Sequence, residues 1–372
     1  QNIYDDGIGK GINGIHTNLK KINKPFNRRS HKEIIEVINN IRNDEIKQVS
    51  IFDDSNGSDI KFHSVNRDET DTFIDKYISQ WNISSKNKLL CLVLTNKSVA
   101  EYSGFSNIFS FFSSTKKYKV AYKQLNTEVL SEDRSKLGEI PALLIRIIEF
   151  RNKLHKNNTP VQDIIDKSIY NDMNISSLRT FLDSIKEIKG ASLEDFTNAI
   201  IDKYNETENY KSLIKDLFDF EGFPSISLNS YMLECLYPNL KDEDIKQTEE
   251  QIKVFLNIDF KEFDLWYKYI LREFDDKIVY RTYHSTKGLE FDNVLILMEN
   301  AFGKNKDYFN SFFKEVINDD EISESYIEDY EKTKNLLYVA CSRSIKNLRV
   351  LYLDDISGFK DGVEKLFLKV EE

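Results

Sequence analysis

Three stretches set charged side chains beside apolar patterns: the basic "FNRRSHKEI" with Arg29, "YRTYHSTKGLEFDNVLIL" with Glu290 and "KNLLYVACSRS" with Arg343. The middle stretch departs most from ordinary core. An apolar, β-rich run breaks into a polar turn with His284, Lys287 and Gly288, and the lone acid Glu290 precedes a second apolar run. With "IVYRTY" and "NVLILM" as neighbouring strands, "HSTKGLEFD" becomes the loop at a strand's carboxyl end, where open α/β sheets bind ligands. Gly288 lets the backbone turn. Lys287 and Glu290, one short loop apart, could then offer hydrogen bonds to phosphates and a sugar together. A surface turn with an incidental salt bridge would contain the same residues. Arg343 follows a helical pattern in which Ile327, Tyr330, Leu337, Tyr338 and Cys341 face inward. It is either held rigidly and aimed out of the sheet edge, or it complements the helix dipole, worth about 0.3–1 kcal/mol.

Other chemistries find no residues to carry them. "GKGING" (9–14) has the form G-x-G-x-x-G, but no strand precedes it and no β-α-β unit with a suitably placed acid follows. A G-x-x-x-x-G-K-[ST] phosphate loop, an H-E-x-x-H helix and a G-x-S-x-G turn are all missing from the 372 residues. Cys91, Cys235 and Cys341 are too scattered for a disulfide framework or a zinc site, so no metal-ligand set is expected and the thiols read as buried apolar fillers.

The elements that must position Arg29, Glu290 and Arg343 follow from periodicity. "SHKEIIEVINNIRN" keeps helical spacing at Ile34, Ile35, Val37, Ile38 and Ile41, with Ser30 where an N-cap belongs. A strand near "IKFHSV", a helix "ETDTFIDKYISQW" and the strand "LLCLVL" follow, the β-α-β signature of an α/β domain with a parallel sheet. From about 116 to 275 strand patterns nearly vanish. "ALLIRIIEFRNKL", "SLRTFLDSIKEI", "SLEDFTNAIIDKY", "DEDIKQTEEQIKVFL" and "DLWYKYILREF" are amphipathic helices, several behind Ser or Asp caps. After Lys277 come "IVYRTY", "NVLILM", a helix through "EDYEKTKNLLYVACS" and the strand "LRVLYL". The two β-rich parts should form one sheet, with "IVYRTY" in the same sheet as "LLCLVL".

Bulk properties agree with a globular protein of two domains or one with a large insertion, since 40% of residues are hydrophobic and 12% aromatic. A net charge of −10 excludes a surface that coats nucleic acid all round, though basic tracks at 26–32 and 114–119 alternate with an acidic run at 318–331. Solvated helix faces account for each. The longest apolar run, "IPALLIRII", is interrupted by Arg146 and falls short of the roughly 20 residues of a membrane helix. With no signal-peptide pattern, a cytoplasmic location without membrane contact is expected. The chain starts at Gln1 rather than Met and is expected to be part of a longer polypeptide.

Taken together the stretches resemble the UvrD/Rep/PcrA type of superfamily 1A DNA helicase. "TYHSTKGLEFDNVLIL" is similar to its motif V, T-x-H-x-x-K-G-L-E-F, and "LLYVACSRS" to motif VI, L-x-Y-V-A-x-T-R-A. "FNRRS" resembles motif IV, N-Y-R-S, with Arg28 in place of the aromatic. "QNIY" resembles the end of motif III, and "LTNKS" an R-T-N stretch with Leu94 for its Arg. The resemblance implies a RecA-like parallel-sheet domain, the second motor domain (2A), interrupted by a mainly helical 2B-like insertion. Residues 1–20 would end the first RecA-like domain, 21–115 and 276–372 would form the second, and 116–275 the insertion.

By the same resemblance Gln1 would sense the γ-phosphate, and Arg29 and Arg343 would act as arginine fingers on it. Gly288 and Glu290 would bind the nucleotide, Glu290 at the ribose. Tyr4, Asn96, Thr282 and His284 would touch the tracking single strand. The cofactors implied are ATP and Mg²⁺, with the metal's ligands before Gln1. The activity implied is ATP-dependent 3′–5′ DNA translocation or unwinding, on single-stranded DNA and duplex junctions. This chain alone, without the phosphate loop, is expected to be inactive. Two other readings stay open. One is a helicase-like regulatory or DNA-recognition subunit serving a nuclease partner in a Gabija-type phage-defence complex. The other is a degenerate helicase that binds DNA without turnover, because Asp5, Asp6 and Gly7 stand where the family has an aromatic and an Arg.

Overall fold

The computed structural model describes residues 25–44, 46–51, 57–156, 159–160, 164, 174–206, 227–272, 277–286, 288–303, 305–317, 322–367 and 369–371. Gln1, Tyr4, the "GKGING" stretch and Lys287 lie outside the described residues. The chain divides into two compact units, residues 1–99 with 274–372, and residues 100–273.

In chain order the elements begin with β1 (Phe26–Asn27), α1 (Lys32–Arg42), β2 (Val49–Ser50), β3 (Ile60–Ser64), α2 (Thr70–Gln80), β4 (Leu89–Val93) and α3 (Asn96–Tyr102). Helices α4 (Ser106–Ser114), α5 (Lys116–Val120), α6 (Tyr122–Leu130), α7 (Glu139–His155), α8 (Ile175–Lys186), α9 (Leu193–Glu206), α10 (Leu228–Leu236), α11 (Asp242–Leu256) and α12 (Phe260–Leu271) follow. The chain then returns to β5 (Ile278–Thr282), β6 (Phe291–Met298), α13 (Tyr308–Ile317), α14 (Ile327–Cys341), β7 (Ser344–Tyr352), α15 (Lys360–Leu366) and β8 (Val370–Glu371).

Six strands form one sheet in the order β5-β4-β6-β7-β3-β8, every pairing parallel, in a RecA-like α/β arrangement. The continuous apolar run Leu89–Val93 is buried at every residue because β4 lies inside the sheet with both faces covered. β5, at the edge, is only partly covered. "IVYRTY" does share a sheet with "LLCLVL", in the register Val93↔Thr282. It is not the neighbour of "NVLILM", however, because β4 lies between β5 and β6. The link from β5 to β6 therefore passes beneath a strand. It runs from the carboxyl end of one strand to the amino end of the other in eight residues, 283–290, where such crossovers usually take a dozen or more.

Two local readings need correction. Ser30 is not the N-cap of α1; His31 holds that position, and the buried Ser30 hydroxyl instead donates to the Ser344 carbonyl at 2.8 Å. Ile327 at the start of α14 is 51% exposed, since the first turn of that helix lies outside the core that buries Tyr330, Leu337, Tyr338 and Cys341.

The second unit contains helices and no strand among its described residues. Its core is aromatic: Phe111 stacks on Phe255 at 3.8 Å between centroids, and Phe112 packs edge-on against Phe255 and Tyr118. The fully buried Trp266 donates its indole N–H to the Val129 carbonyl at 3.0 Å. Ser192 and Asp259 cap the starts of α9 and α12 through the backbone N–H groups of Asp195 and Lys261. Among the described residues no helix is long and apolar enough to cross a membrane.

Candidate functional site

The turn that carries Arg29 is shaped by one side chain. Asn27 Oδ1 accepts the backbone N–H groups of Arg29 (2.9 Å) and Ser30 (3.0 Å), a local bond pattern that closes the chain on itself and leaves Arg28 and Arg29 exposed. The turn is then fastened to the start of β7, by Ser30 as above and by the His31 N–H on the Ile345 carbonyl at 2.9 Å.

Sheet register supplies the other half. Pairing of Phe291 with Ser344 sets Glu290 and Arg343 side by side, each just before its strand. The Arg343 side chain does not project outward as its place beyond the helix suggests. Its Nε donates to the Val339 carbonyl (3.0 Å), Nη1 to the carbonyls of Thr286 (3.1 Å) and Leu289 (3.0 Å), and Nη2 to the Ser342 hydroxyl (3.0 Å). The five-donor guanidinium thus bonds carbonyls near the end of α14 and in the crossover after β5, where the Thr286 carbonyl also accepts the Leu289 N–H at 2.9 Å. One Nη2 hydrogen is left without a partner among the described residues. Burial, and then the neighbouring Arg29, push the Arg343 pKa down from its ordinary value.

Arg29 Nη1 reaches Glu290 Oε1 at 2.7 Å, both side chains being substantially exposed. Beside this pair opens a cleft of about 400 Å³, lined among others by Asn27, Arg28, Arg29, Gln48, Tyr338 and Arg343. Three guanidiniums around one open cleft, with a carboxylate at hand, make a site for a polyanion that also presents hydroxyl groups. Gly288, at φ +94°, gives the turn a left-handed conformation that glycine adopts without strain; a Cβ there would meet nothing within 4 Å, so conformation and not space calls for it.

Asn96, Thr282 and His284 are elsewhere. The register Val93↔Thr282 places them at or just past the carboxyl ends of β4 and β5, the edge opposite to that of Glu290 and Arg343. Thr282 is buried; its hydroxyl accepts the Ser285 N–H at 3.3 Å and its carbonyl accepts the Ser285 hydroxyl at 2.9 Å. The His284 ring lies nearly parallel to Phe302, 6.4 Å between centroids, and burial lowers its pKa. The crossover 283–290 thus joins the two groups of residues end to end, so the "HSTKGLEFD" stretch is a bridge between both edges of the sheet and not a loop at its carboxyl edge alone.

Sequence reasoning missed Gln48 and the hydroxyl of Tyr338. Gln48 Nε2 donates to Tyr338 Oη at 2.6 Å and Gln48 Oε1 accepts from Asn27 Nδ2 at 2.9 Å. It also missed a row of amides along the amino edge, where Asn87, Asn293 and Asn347 are linked at 2.7 and 2.8 Å. Only the buried Asn293, polar at the head of the apolar run 294–298, could have signalled it.

Compared with known proteins, residues 12–355 match the UvrD-like helicase C-terminal domain. The chain is similar to the Gabija protein GajB of Bacillus cereus (strain HuB5-5), 47% identical over 374 residues that cover 100% of this chain and 55% of that protein. The chain thus spans about half the length of that relative.

Proposed function

The chain belongs to the UvrD-like helicase C-terminal domain family, and we propose on that footing that it is the second motor domain, with its helical insertion, of an ATP-dependent 3′–5′ DNA translocase or helicase. The observation that carries the reading is a cleft lined by Arg29 and Arg343, with Glu290 ion-paired to Arg29 beside it, from three separate stretches of sequence. ATP fits the groups present. Arg29 and the remaining Nη2 hydrogen of Arg343 are donors for phosphate oxygens, and Glu290 is an acceptor for ribose hydroxyls. When bound, the nucleotide supplies the phosphoryl group whose negative charge spreads during transfer. Held guanidiniums stabilise such charge without reorganising. By the family resemblance the Mg²⁺ ligands are proposed to lie outside this chain. Gln1 is proposed as γ-phosphate sensor and Tyr4, Asn96, Thr282 and His284 as contacts to a single strand, with residues 116–275 as the inserted 2B-like lobe. The eight-residue bridge 283–290 supports a coupling role, since a shift at one of its ends is carried to the other.

The test uses the full-length protein. Single-stranded DNA should stimulate ATP hydrolysis, a duplex with a 3′ tail should be unwound, and residues 1–372 alone should hydrolyse no ATP. ATP hydrolysis by purified residues 1–372 would overturn the half-site reading. The likeness to a Gabija protein favours a second reading, a helicase-like subunit that regulates or recruits a nuclease partner in phage defence. DNA-stimulated ATP turnover without unwinding would select it.

A further inference from the structure

Gln48 lies in no motif and precedes a strand of two residues, yet each of its hydrogen-bonding groups is engaged. Its backbone N–H donates to Asn39 Oδ1 (2.8 Å) and its carbonyl accepts from Asn39 Nδ2 (2.9 Å), so a side chain of α1 holds it as a neighbouring strand would. Its own amide bridges Asn27 and Tyr338. The consequence at Asn27 is directional. A primary amide presents one acceptor oxygen and one donor nitrogen. With Nδ2 taken by Gln48, Oδ1 must face the N–H groups of Arg29 and Ser30, and it is those two bonds that form the Arg29 turn. At the other end, Tyr338 is buried in α14, the helix that leads into Arg343.

We infer that Gln48 is a positioning residue of the cleft, acting through Arg29: by bridging Asn27 and Tyr338 it fixes the Arg29 turn relative to the helix that carries Arg343. This rests on the nucleotide reading above. Gln48 lines the cleft with Arg29 and Arg343, and its side chain links the turn of one to the helix of the other.

The experiment is a double-mutant cycle in the full-length protein, read as DNA-stimulated ATP turnover. Gln48→Leu removes both bonds at similar volume and should lower kcat about tenfold while moving KM less than about threefold. Gln48→Glu still accepts from Asn27 Nδ2 and can accept from the Tyr338 hydroxyl, which then turns donor; it should restore kcat to within about threefold of wild type. In an Arg29→Ala background, Gln48→Leu should change kcat less than about twofold, because the group it positions is gone. Should Gln48→Leu not fold, Tyr338→Phe removes one end of the bridge without a cavity and replaces it in the cycle, with an expected loss of about threefold. Full additivity in the Arg29→Ala background, or a Gln48→Leu enzyme within about twofold of wild type, would overturn the inference while leaving the nucleotide reading intact. A wild-type protein that neither binds nor hydrolyses ATP overturns both.

Discussion

The two edges of the sheet differ in how their polar groups are tied. Around Glu290 and Arg343 the bonds join parts far apart in sequence: Ser30 to Ser344, Arg343 to Thr286 and Leu289, and the amide row Asn87–Asn293–Asn347. Around Asn96, Thr282 and His284 they close on themselves within three residues, as in Ser285 with Thr282, Thr286 with Tyr283, and Ser98 with Thr95. The Tyr283 hydroxyl on the Leu297 carbonyl is a long-range exception at that edge. A cross-tied cluster is preorganised, which suits stabilisation of charge at a fixed point. Locally closed turns can shift without releasing one another, which suits a strand that moves past them.

Removing Arg343 should break this difference most severely. In the full-length protein Arg343→Ala should lower ATP turnover about 10³-fold. It should also lower Tm by several degrees, since the carbonyls of Val339, Thr286 and Leu289 each lose a charged donor. Calorimetry showing an unchanged Tm would mean the ties do not hold the edge together. Arg29→Ala separates chemistry from cohesion: turnover should fall about 10²-fold, while Tm should stay within about 2 °C because the exposed ion pair with Glu290 adds little stability. A large Tm loss there would erase the distinction between the two arginines.

At Glu290 the effect should be smaller and confined to binding. Glu290→Ala removes a charged acceptor and should weaken ATP about tenfold by titration calorimetry, with DNA affinity unchanged. Across the sheet, His284→Ala should weaken single-stranded DNA about five- to tenfold and leave ATP affinity alone; reciprocal loss of ATP affinity would show the edges to be one site.

The smallest expected effect is a null one with pH. Burial lowers the His284 pKa below its ordinary value, so the fold favours the neutral ring. Its contribution to stability is complete above about pH 6.5 and is lost as pH falls through the lowered folded value. Between pH 8 and pH 7 the DNA affinities of wild type and His284→Gln should therefore keep a constant ratio. A ratio that grows over that interval would reveal a charged imidazole.

Much of the architecture is legible in the sequence. The apolar run at "LLCLVL" reads as a strand and forms β4, and the spacing of Ile34, Val37, Ile38 and Ile41 reads as a helix with one buried face, as their burial bears out. Five of the inserted helices also stand where their amphipathic patterns put them. Each of these signals is local, written within one turn of helix or one strand.

Strand order is a different kind of fact. Nothing in "IVYRTY" or "NVLILM" says that β4 will slip between them, because pairing partners are chosen by the whole sheet; yet that insertion turns a loop into a bridge across both edges. The same holds for Arg343, whose sequence neighbours give no hint of the carbonyls 54 and 57 residues away that draw it inward. The amino-acid sequence by itself determined the charged residue types, the helical and extended segments, and the family. Only the tertiary structure decided which of those residues meet. Hydrogen-bond partners, register and burial depend on chain segments brought together by folding, and Gln48, silent in sequence, gains its place from Asn27, Asn39 and Tyr338.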